Sequence, residues 1–247
     1  MEERYARQTM LPEIGEQGQR RLSEASVLIV GIGGLGSAAA LYLTGAGVGR
    51  IGLADADTVS KSNLQRQVLY TERQIGMPKS AAARERLAAL SSHTAFECWP
   101  EGITPENARP ILDGYDLILD CCDNFPTRYL LDDLCAACRK PWVHGSIGEF
   151  YGQVTVFNGR KGRRYRDLYP DRKALCARPR ITQGVLGTVP GVIGTLQASE
   201  AIKYLCGSPK PQRDLIASEA CSGPMTPLDG RLFTIDLRTL QTQIIDY

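Results

Sequence analysis

The chain has 247 residues, of which 43% are hydrophobic and 23% charged, a composition typical of one sizeable globular domain. Its net charge of +2 gives no overall electrostatic case for binding nucleic acid or an anionic membrane. We find no apolar run of about 18 residues that would span a membrane, and the charged N-terminus does not have the pattern of a secretory signal. We therefore expect a cytoplasmic protein whose eight cysteines are buried thiols, metal ligands or catalytic groups rather than disulfides.

The hydrophobic pattern predicts a polar N-terminal helix at residues 4–23, followed by alternating strands and helices. The predicted strands cover residues 27–30, 50–54, 95–99, 115–120 and 142–145. The predicted helices cover residues 34–45, 79–91, 105–112 and 125–138, with an irregular stretch at 58–78. This alternation is typical of a mostly parallel sheet with helices on both faces.

The pattern changes after residue 145. The predicted elements there are a strand at 152–157, a basic loop at about 159–180, an apolar helix at 189–205, and a final stretch, 232–247, that reads as a hairpin around Thr239. The fold class predicted is therefore α/β, in which a Rossmann-like nucleotide-binding half (about 25–145) continues into an antiparallel half (about 146–247). Because no linker separates the halves, we expect one domain over residues 1–247.

The segment 27–36 predicts a buried strand that turns on glycines directly into a helix. Gly31 allows the tight turn, Gly33 allows a phosphate to approach the backbone, and Gly36 allows close packing of helix and strand. Gly34 opens the helix, whose free N–H groups and dipole attract an anion. The motif predicts a nucleotide without saying which one, and the alternative is a glycine turn that merely packs a helix.

Acidic residues follow the next predicted strand, about 20 residues after Gly36. In dinucleotide-binding proteins, a carboxylate at this spacing binds the ribose hydroxyls. Asp55 and Asp57 therefore predict a bound ribose, although their spacing does not separate NAD from ATP.

Cationic side chains beyond the ribose position favour ATP. Arg66 lies in a polar segment, and Lys79 begins the next predicted helix. A dinucleotide's pyrophosphate needs little beyond backbone groups, whereas a triphosphate that loses pyrophosphate needs cations beside the leaving group. The alternative interpretation is that Arg66 and Lys79 are solvated surface charges.

A further acidic segment, residues 120–124, follows the strand predicted at 115–120. Ligands of open α/β sheets bind outside the carboxyl ends of the strands, so Asp123 is a candidate ligand for Mg²⁺ beside the phosphates. Asp123 is equally a candidate cap for the helix that begins near Phe125, and the two roles are compatible.

Seven segments occur in the order typical of one enzyme family. They are RYARQ at residues 4–8, GIGGLG at 31–36, DAD at 55–57, SNLQRQ at 62–67, PK at 78–79, DCCDN at 120–124, and a helix at 187–205 that contains GVIGTLQA. This ordered set closely resembles the ThiF/MoeB/HesA family, the bacterial relatives of ubiquitin-activating enzymes. The resemblance covers nearly the whole chain.

The resemblance implies an adenylyltransferase that binds ATP and Mg²⁺. Its implied substrate is a ubiquitin-like sulfur-carrier protein ending in Gly-Gly, whose terminal carboxylate attacks the α-phosphate and releases pyrophosphate. A sulfur donor then converts the adenylylated carboxyl group into a thiocarboxylate, for thiamine or molybdopterin synthesis. The antiparallel half would hold the carrier, with its tail under a crossover loop at about 159–183.

Roles for single residues follow from the same resemblance. Asp55 would bind the ribose, and Asp123 would hold Mg²⁺. Arg7 would reach the ATP of the neighbouring subunit, because the family works as a homodimer. The implied phosphate contacts are Asn63, Arg66 and Lys79.

The chain departs from the family pattern where many relatives bind a structural zinc ion with two C-x-x-C pairs. Residues 164–167, Arg-Tyr-Arg-Asp, stand in the place of the first pair, and the second pair is absent from the C-terminal sequence. Cys135 and Cys138 have the required spacing but lie on a predicted helix, where they read as two thiols on one face. We therefore expect no zinc.

The thiamine-type members also use a crossover-loop cysteine to form an acyl-disulfide with the carrier. That position is Arg180 in this chain, and Cys176 lies four residues earlier. Basic neighbours at Arg172, Lys173 and Arg178 would favour the Cys176 thiolate. Cys176 is therefore a candidate catalytic residue, with an ordinary loop thiol as the alternative.

The sequence is compatible with three other functions. The first alternative is an adenylating family member that acts on another carboxylate, such as a tRNA base or a peptide. The second alternative is an NAD-dependent oxidoreductase, a function that gives Arg66, Lys79 and Asp123 no shared role. A non-catalytic scaffold is disfavoured by the intact set of candidate phosphate contacts.

Overall fold

One mixed sheet organises the computed structural model, which describes residues 3–179, 184–207 and 225–247. The strands are β1 (Ser26–Val30), β2 (Arg50–Ala54), β3 (Ala95–Trp99), β4 (Leu117–Asp120), β5 (Trp142–Gly148), β6 (Tyr151–Phe157), β7 (Arg231–Asp236) and β8 (Gln241–Asp246). They pair in the order β3-β2-β1-β4-β5-β6-β7-β8.

Helices cover both faces of this sheet. They are α1 (Ala6–Thr9), α2 (Gly15–Glu24), α3 (Gly34–Ala46), α4 (Lys79–Leu90), α5 (Ala108–Asp113), α6 (Phe125–Cys138), α7 (Tyr165–Leu168), α8 (Arg172–Cys176) and α9 (Thr188–Cys206). Among the helices that the structure describes, none combines the length and the apolar character of a membrane span.

Strand β1 lies at the centre of the parallel half, which pairs β3, β2, β1, β4 and β5. Its residues are all buried and alternate between two cores, with Ile29 in the core beneath α3, α4 and α9, and Val30 in the core beneath α5 and α6. Val30 pairs with Ala54 of β2 and with Asp120 of β4. The carboxyl ends of three strands therefore meet where the strand order reverses, which is where open α/β sheets bind ligands.

The antiparallel half begins with the β5–β6 hairpin and continues through β7 and β8. Strand β5 runs three residues beyond the predicted end at 145, because its extension pairs with the start of β6. The final stretch is a hairpin, as predicted, and its turn contains Leu240 with a φ of 58°. The predicted change from a parallel to an antiparallel sheet is therefore confirmed.

Two parts of the predicted element order are wrong. The N-terminal helix at 4–23 is broken, because the chain turns between residues 10 and 14 and separates α1 from α2. The basic loop contains the short helices α7 and α8, and Asp171 caps the second by accepting from the N–H of Ala174. Residues 180–183 of that loop lie outside the described residues.

Candidate active site

The glycine turn after β1 packs closely against the end of β4. Gly31 has a φ of +89°, and a Cβ atom there would lie 2.7 Å from the carbonyl oxygen of Cys121. A Cβ on Gly36 would lie 2.1 Å from the carbonyl oxygen of Gly31, so a side chain would separate α3 from β1. Both positions need glycine, for the reasons that the spacing of the motif predicts.

The start of α3 presents backbone donors above this turn. The first hydrogen bond of the helix runs from the N–H of Ser37 to the carbonyl of Gly33, at 2.9 Å. Within the described residues, no acceptor contacts the N–H groups of Gly33 to Gly36. These free donors and the positive end of the helix dipole form a cradle for an anion.

Gln67 lies beside this cradle, although the sequence pattern alone does not predict it as a site residue. Its side-chain nitrogen lies 3.6 Å from the place of a Cβ on Gly33. The residue is buried, yet its amide oxygen has no hydrogen-bond partner among the residues that the structure describes. An unpaired buried acceptor costs about 1–3 kcal/mol, so the site fits a ligand that brings a hydrogen-bond donor.

Asp55 joins the glycine turn to the end of β2. Its carboxylate accepts the N–H of Ile32 at 2.6 Å and the N–H of Asp57 at 2.9 Å. Burial raises the pKa of Asp55, although the charge of Lys79 and the two backbone donors act in the opposite direction. Each carboxylate oxygen keeps a lone pair for a further donor, so Asp55 is able to accept a ribose hydroxyl.

Lys79 provides a buried positive charge in the same place. Its ammonium nitrogen lies 2.7 Å from an Asp57 oxygen and 3.9 Å from an Asp55 oxygen. Only 6% of the Lys79 side chain is exposed, whereas 74% of the Asp57 side chain is exposed. Asp57 therefore neutralises Lys79 from the solvent side, where an anionic ligand would compete with it.

The irregular segment that follows β2 is fastened over the glycine turn. The hydroxyl of Tyr70 donates to the carbonyl of Ile32 at 2.7 Å, and burial is the main cause that raises the pKa of Tyr70. Asn63 turns the chain by accepting the N–H groups of Arg66 and Gln67 with its carbonyl oxygen. The carbonyl of Arg66 lies 3.5 Å from the place of a Cβ on Gly34, so the Arg66 backbone lies beside the cradle, while its guanidinium donates to the carbonyl of Ser62 at 3.1 Å.

The turn after β4 completes the site. Cys122 donates its N–H to the Asp120 carboxylate at 3.1 Å, and Arg128 donates to the Cys122 carbonyl at 2.8 Å. Asn124 caps α6 by accepting the N–H of Thr127, so the capping interpretation of Asp123 is wrong. Asp123 is exposed on this turn. Two residues earlier, the carbonyl of Cys121 packs against Gly31.

The model of the ThiF family matches residues 5–246 of this chain. The chain belongs to the ThiF family. A sulfur carrier protein adenylyltransferase of Thermus thermophilus is 47% identical over 215 residues, which are 85% of this chain and 79% of the relative. The adenylyltransferase and sulfurtransferase MOCS3 of Xenopus laevis is 44% identical over 241 residues, which are 95% of this chain and 51% of the relative. The chain thus spans about half the length of the MOCS3 relatives that it matches.

Solved structures agree on the fold. The crystal structure of E. coli MccB with ATP superposes with a TM-score of 0.81 over 100% of this chain and 72% of that chain, at 20% identity. The crystal structure of PaaA superposes with a TM-score of 0.77 over 99% of this chain and 72% of that chain, at 21% identity. At this level of identity the likeness extends to the α/β fold alone.

Arg7, which the ThiF-family resemblance links to ATP, lies far from the glycine turn of its own chain. It is exposed on α1, where the neighbouring Gln8 donates to the carbonyl of Ala46 at 3.1 Å. Ala46 ends α3, and a helix of 13 residues is about 20 Å long. The structure therefore does not bring Arg7 to the cradle that begins the same helix.

The crossover segment, residues 159–179 of the described chain, is held against α6 by ion pairs. Arg164 and Arg166 donate to the Asp132 carboxylate at 2.9 and 2.7 Å, and Arg172 donates to Asp133 at 3.0 Å. Arg166 also bonds Asp133. In this ThiF-family chain, the segment in the place of the first C-x-x-C pair is thus anchored by guanidinium–carboxylate pairs.

The cysteines singled out from the sequence lie around this segment. Cys135 and Cys138 are on α6, as predicted, and Cys135 is buried. Cys176 ends α8 and is half-buried against the core that contains Tyr129. Arg180 lies outside the described residues.

The Asp132 anchor makes a testable contribution to stability. We expect Asp132→Asn to lower the free energy of unfolding by about 2–3 kcal/mol, because it weakens charged hydrogen bonds to a carboxylate that is 1% exposed. The matched variant Asp133→Asn, whose side chain is 42% exposed, should cost less than about 1 kcal/mol. Urea unfolding compares the two, and equal losses would contradict an anchor centred on Asp132.

Proposed function

We propose that this protein adenylylates the C-terminal carboxylate of a ubiquitin-like sulfur-carrier protein. ATP is the nucleotide, pyrophosphate is released, and the carrier ends in Gly-Gly. The observation that carries the proposal is the cradle of free N–H groups at the start of α3, together with the buried Lys79 that pairs with Asp57 and Asp55 beside it. The names of the Thermus and Xenopus relatives support the same reaction.

The chemistry requires alignment and charge neutralisation more than a base. A terminal carboxylate is already ionised at neutral pH, so its oxygen can attack the α-phosphorus directly. The new bond joins this oxygen to the α-phosphorus, and the bond from the α-phosphorus to the bridging oxygen breaks. Negative charge then accumulates on the departing pyrophosphate, where positive groups stabilise it.

The residues divide these tasks. Asp55 binds the ribose, while the free N–H groups at the start of α3 hold phosphate oxygens. Asn63, Arg66 and Lys79 contact the phosphates, and Lys79 moves from Asp57 to the nucleotide when ATP binds. This exchange of partners leaves the buried ammonium group compensated in both states.

Asp123 holds Mg²⁺ in this proposal. One carboxylate together with phosphate oxygens and waters is a common way for proteins to bind Mg²⁺. The ion supplies positive charge to the triphosphate. Asp120 is not available for this task, because its carboxylate is occupied by Arg128, His144 and Cys122.

Further parts of the proposal concern partners and place. The enzyme acts as a homodimer in which Arg7 serves the partner subunit's ATP. A sulfur donor then forms the thiocarboxylate for thiamine or molybdopterin synthesis, and Cys176 is the candidate for a covalent intermediate. We also propose that the protein lies in the cytoplasm and holds no zinc ion.

ATP–pyrophosphate exchange tests the reaction. We expect radioactive pyrophosphate to enter ATP only when Mg²⁺ and a carrier ending in Gly-Gly are both present. The matched control is the same carrier without its last two glycines, which should support no exchange. Absence of exchange with every Gly-Gly carrier, together with tight binding of NAD, would refute the proposal in favour of an oxidoreductase.

A further inference from the structure

The turn that carries Asp123 is folded around one buried carboxylate. Asp120 is fully buried, and one of its oxygens accepts the Cys122 N–H at 3.1 Å and contacts the Cys122 sulfur at 2.8 Å. Arg128 closes the turn from the other side by donating to the Cys122 carbonyl. The direction in which Asp123 leaves the sheet therefore depends on where the Asp120 carboxylate lies.

The other Asp120 oxygen faces the antiparallel half of the sheet. It lies 2.6 Å from Nδ1 of His144, its parallel partner on β5, and 3.5 Å from Nε of Arg128. His144 is fully buried, and its Nε2 lies 3.4 Å from the side-chain nitrogen of Gln153 on β6. The contact thus crosses from the nucleotide-binding half to the antiparallel half without reaching solvent.

Gln153 extends this series of hydrogen bonds into the crossover segment. Its side-chain nitrogen donates to the Tyr169 hydroxyl at 2.5 Å. Tyr169 follows α7, stacks on Tyr165 with ring centroids 4.6 Å apart, and accepts the Tyr129 hydroxyl with its carbonyl at 2.5 Å. Tyr169 is therefore held on the core by its ring, its carbonyl and its hydroxyl.

One set of proton positions is consistent with all three of these hydrogen-bond contacts. Burial lowers the pKa of His144, so the imidazole is neutral near pH 7 and carries a single ring proton. With that proton on Nδ1, His144 donates to Asp120, and its Nε2 accepts from Gln153. The second amide hydrogen of Gln153 reaches Tyr169. This assignment gives the Asp120–His144, His144–Gln153 and Gln153–Tyr169 contacts one consistent direction of donation.

We propose that His144 and Gln153 are positioning residues, which couple the position of Tyr169 in the crossover segment to the turn that carries Asp123. We call the hydrogen-bonded series Asp120–His144–Gln153–Tyr169 the relay. The consequence for catalysis rests on the proposed function. A carrier tail that passes under the crossover segment would press on Tyr169, and the relay would then adjust Asp123 beside the phosphates. The coupling itself is a property of the chain and is measurable without a substrate.

Tyr169→Phe is the sharpest variant, because it removes only the hydroxyl at the far end of the relay. We expect amide hydrogen exchange in a peptide covering residues 120–125 to become about tenfold faster, the effect of losing one buried hydrogen bond. The matched control is Tyr247→Phe, which removes a hydroxyl that bonds Thr155 on the same strand as Gln153. Its peptide 120–125 should exchange at the wild-type rate.

A double-mutant cycle then tests whether the contacts form one chain. His144→Asn and Tyr169→Phe should each lower the maximal rate of carrier-dependent exchange about tenfold while KM for ATP stays unchanged. The double variant should be no slower than the slower single variant, because a relay is broken by the loss of either end. Independent structural roles would instead give multiplied losses, which would overturn the coupling.

The outcomes separate the two proposals. Unchanged hydrogen exchange at residues 120–125 in Tyr169→Phe overturns the relay, whatever the substrate is. Faster hydrogen exchange in a protein that shows no carrier-dependent pyrophosphate exchange supports the relay and refutes the proposed function. Circular dichroism of each variant checks that the fold is intact, and Tyr169→Phe retains the ring that stacks on Tyr165.

Discussion

Replacing Asp123 with Asn, or Arg66 with Ala, is expected to lower ATP–pyrophosphate exchange by about 10²-fold or more. Each change removes one positioned charge from a reaction whose transition state gathers negative charge on the pyrophosphate. Asp123 lies on an exposed turn and Arg66 on a half-buried loop, so neither substitution opens a cavity in the core. The loss should therefore appear in the exchange rate and not in the melting temperature.

Matched controls make this prediction specific. Asp113→Asn changes an exposed aspartate that precedes β4, whereas Asp123 follows the other end of the same strand. Arg86→Ala removes an exposed arginine from α4. Both controls should exchange at nearly the wild-type rate. Near-normal rates in Asp123→Asn and Arg66→Ala would mean that the catalytic charges lie elsewhere.

The Mg²⁺ dependence separates the roles of these two residues. If Asp123 binds the ion, the Asn variant should need a higher Mg²⁺ concentration for half-maximal exchange, because it has one anionic ligand fewer. Arg66→Ala should leave that concentration unchanged and weaken the rate alone. A titration of both variants therefore distinguishes a metal ligand from a direct phosphate contact.

The sequence predicted the parallel half well because its elements carry local signals. Strands β1, β2 and β4 are short, mostly apolar runs. The glycine spacing of the first turn fits a close strand-to-helix connection. The residues at the carboxyl ends, such as Asp55 and Asp123, followed from the rule that parallel strands meet there. Placing Asp55 and Asp123 at the same end of the sheet requires only that β1, β2 and β4 run parallel.

What the sequence could not predict depends on long-range register. Asp120 resembles any acidic residue of an acidic segment until β4 pairs with β5 and sets it against His144. Gln67 belongs to the SNLQRQ segment, but its buried, unpaired amide oxygen depends on how Tyr70 fastens that segment over the glycine turn. The sequence gives no local signal for Asp132, because its arginine partners lie about 30 residues away along the chain.

The distance between Arg7 and the cradle bears on catalysis in the same way. Because α1 is tied to the far end of α3, Arg7 is useful to the reaction only if it serves another subunit's site. An isologous dimer would repeat this contact twice, once for each site. The alternative is that Arg7 takes no part in the reaction.

Mixing two inactive variants decides between these alternatives. We expect Arg7→Ala alone to lose about 10²-fold in exchange, as for other positioned charges. After unfolding and joint refolding with Asp123→Asn, activity should rise to about a quarter of the wild-type rate, because half of randomly paired dimers are mixed and each contains one intact site. The measurement is the exchange rate as a function of the mixing ratio, with a maximum at equal amounts.

The control is a mixture of Arg66→Ala with Asp123→Asn. The proposed function assigns both of these residues to the same subunit's site, so every site in a mixed dimer would lack one of them and no activity should return. Recovery in this control would mean that subunits exchange loops or that the sites are shared differently. A wild-type rate for Arg7→Ala alone would remove Arg7 from the reaction, whereas loss without recovery on mixing would require α1 to leave Ala46 and reach its own cradle.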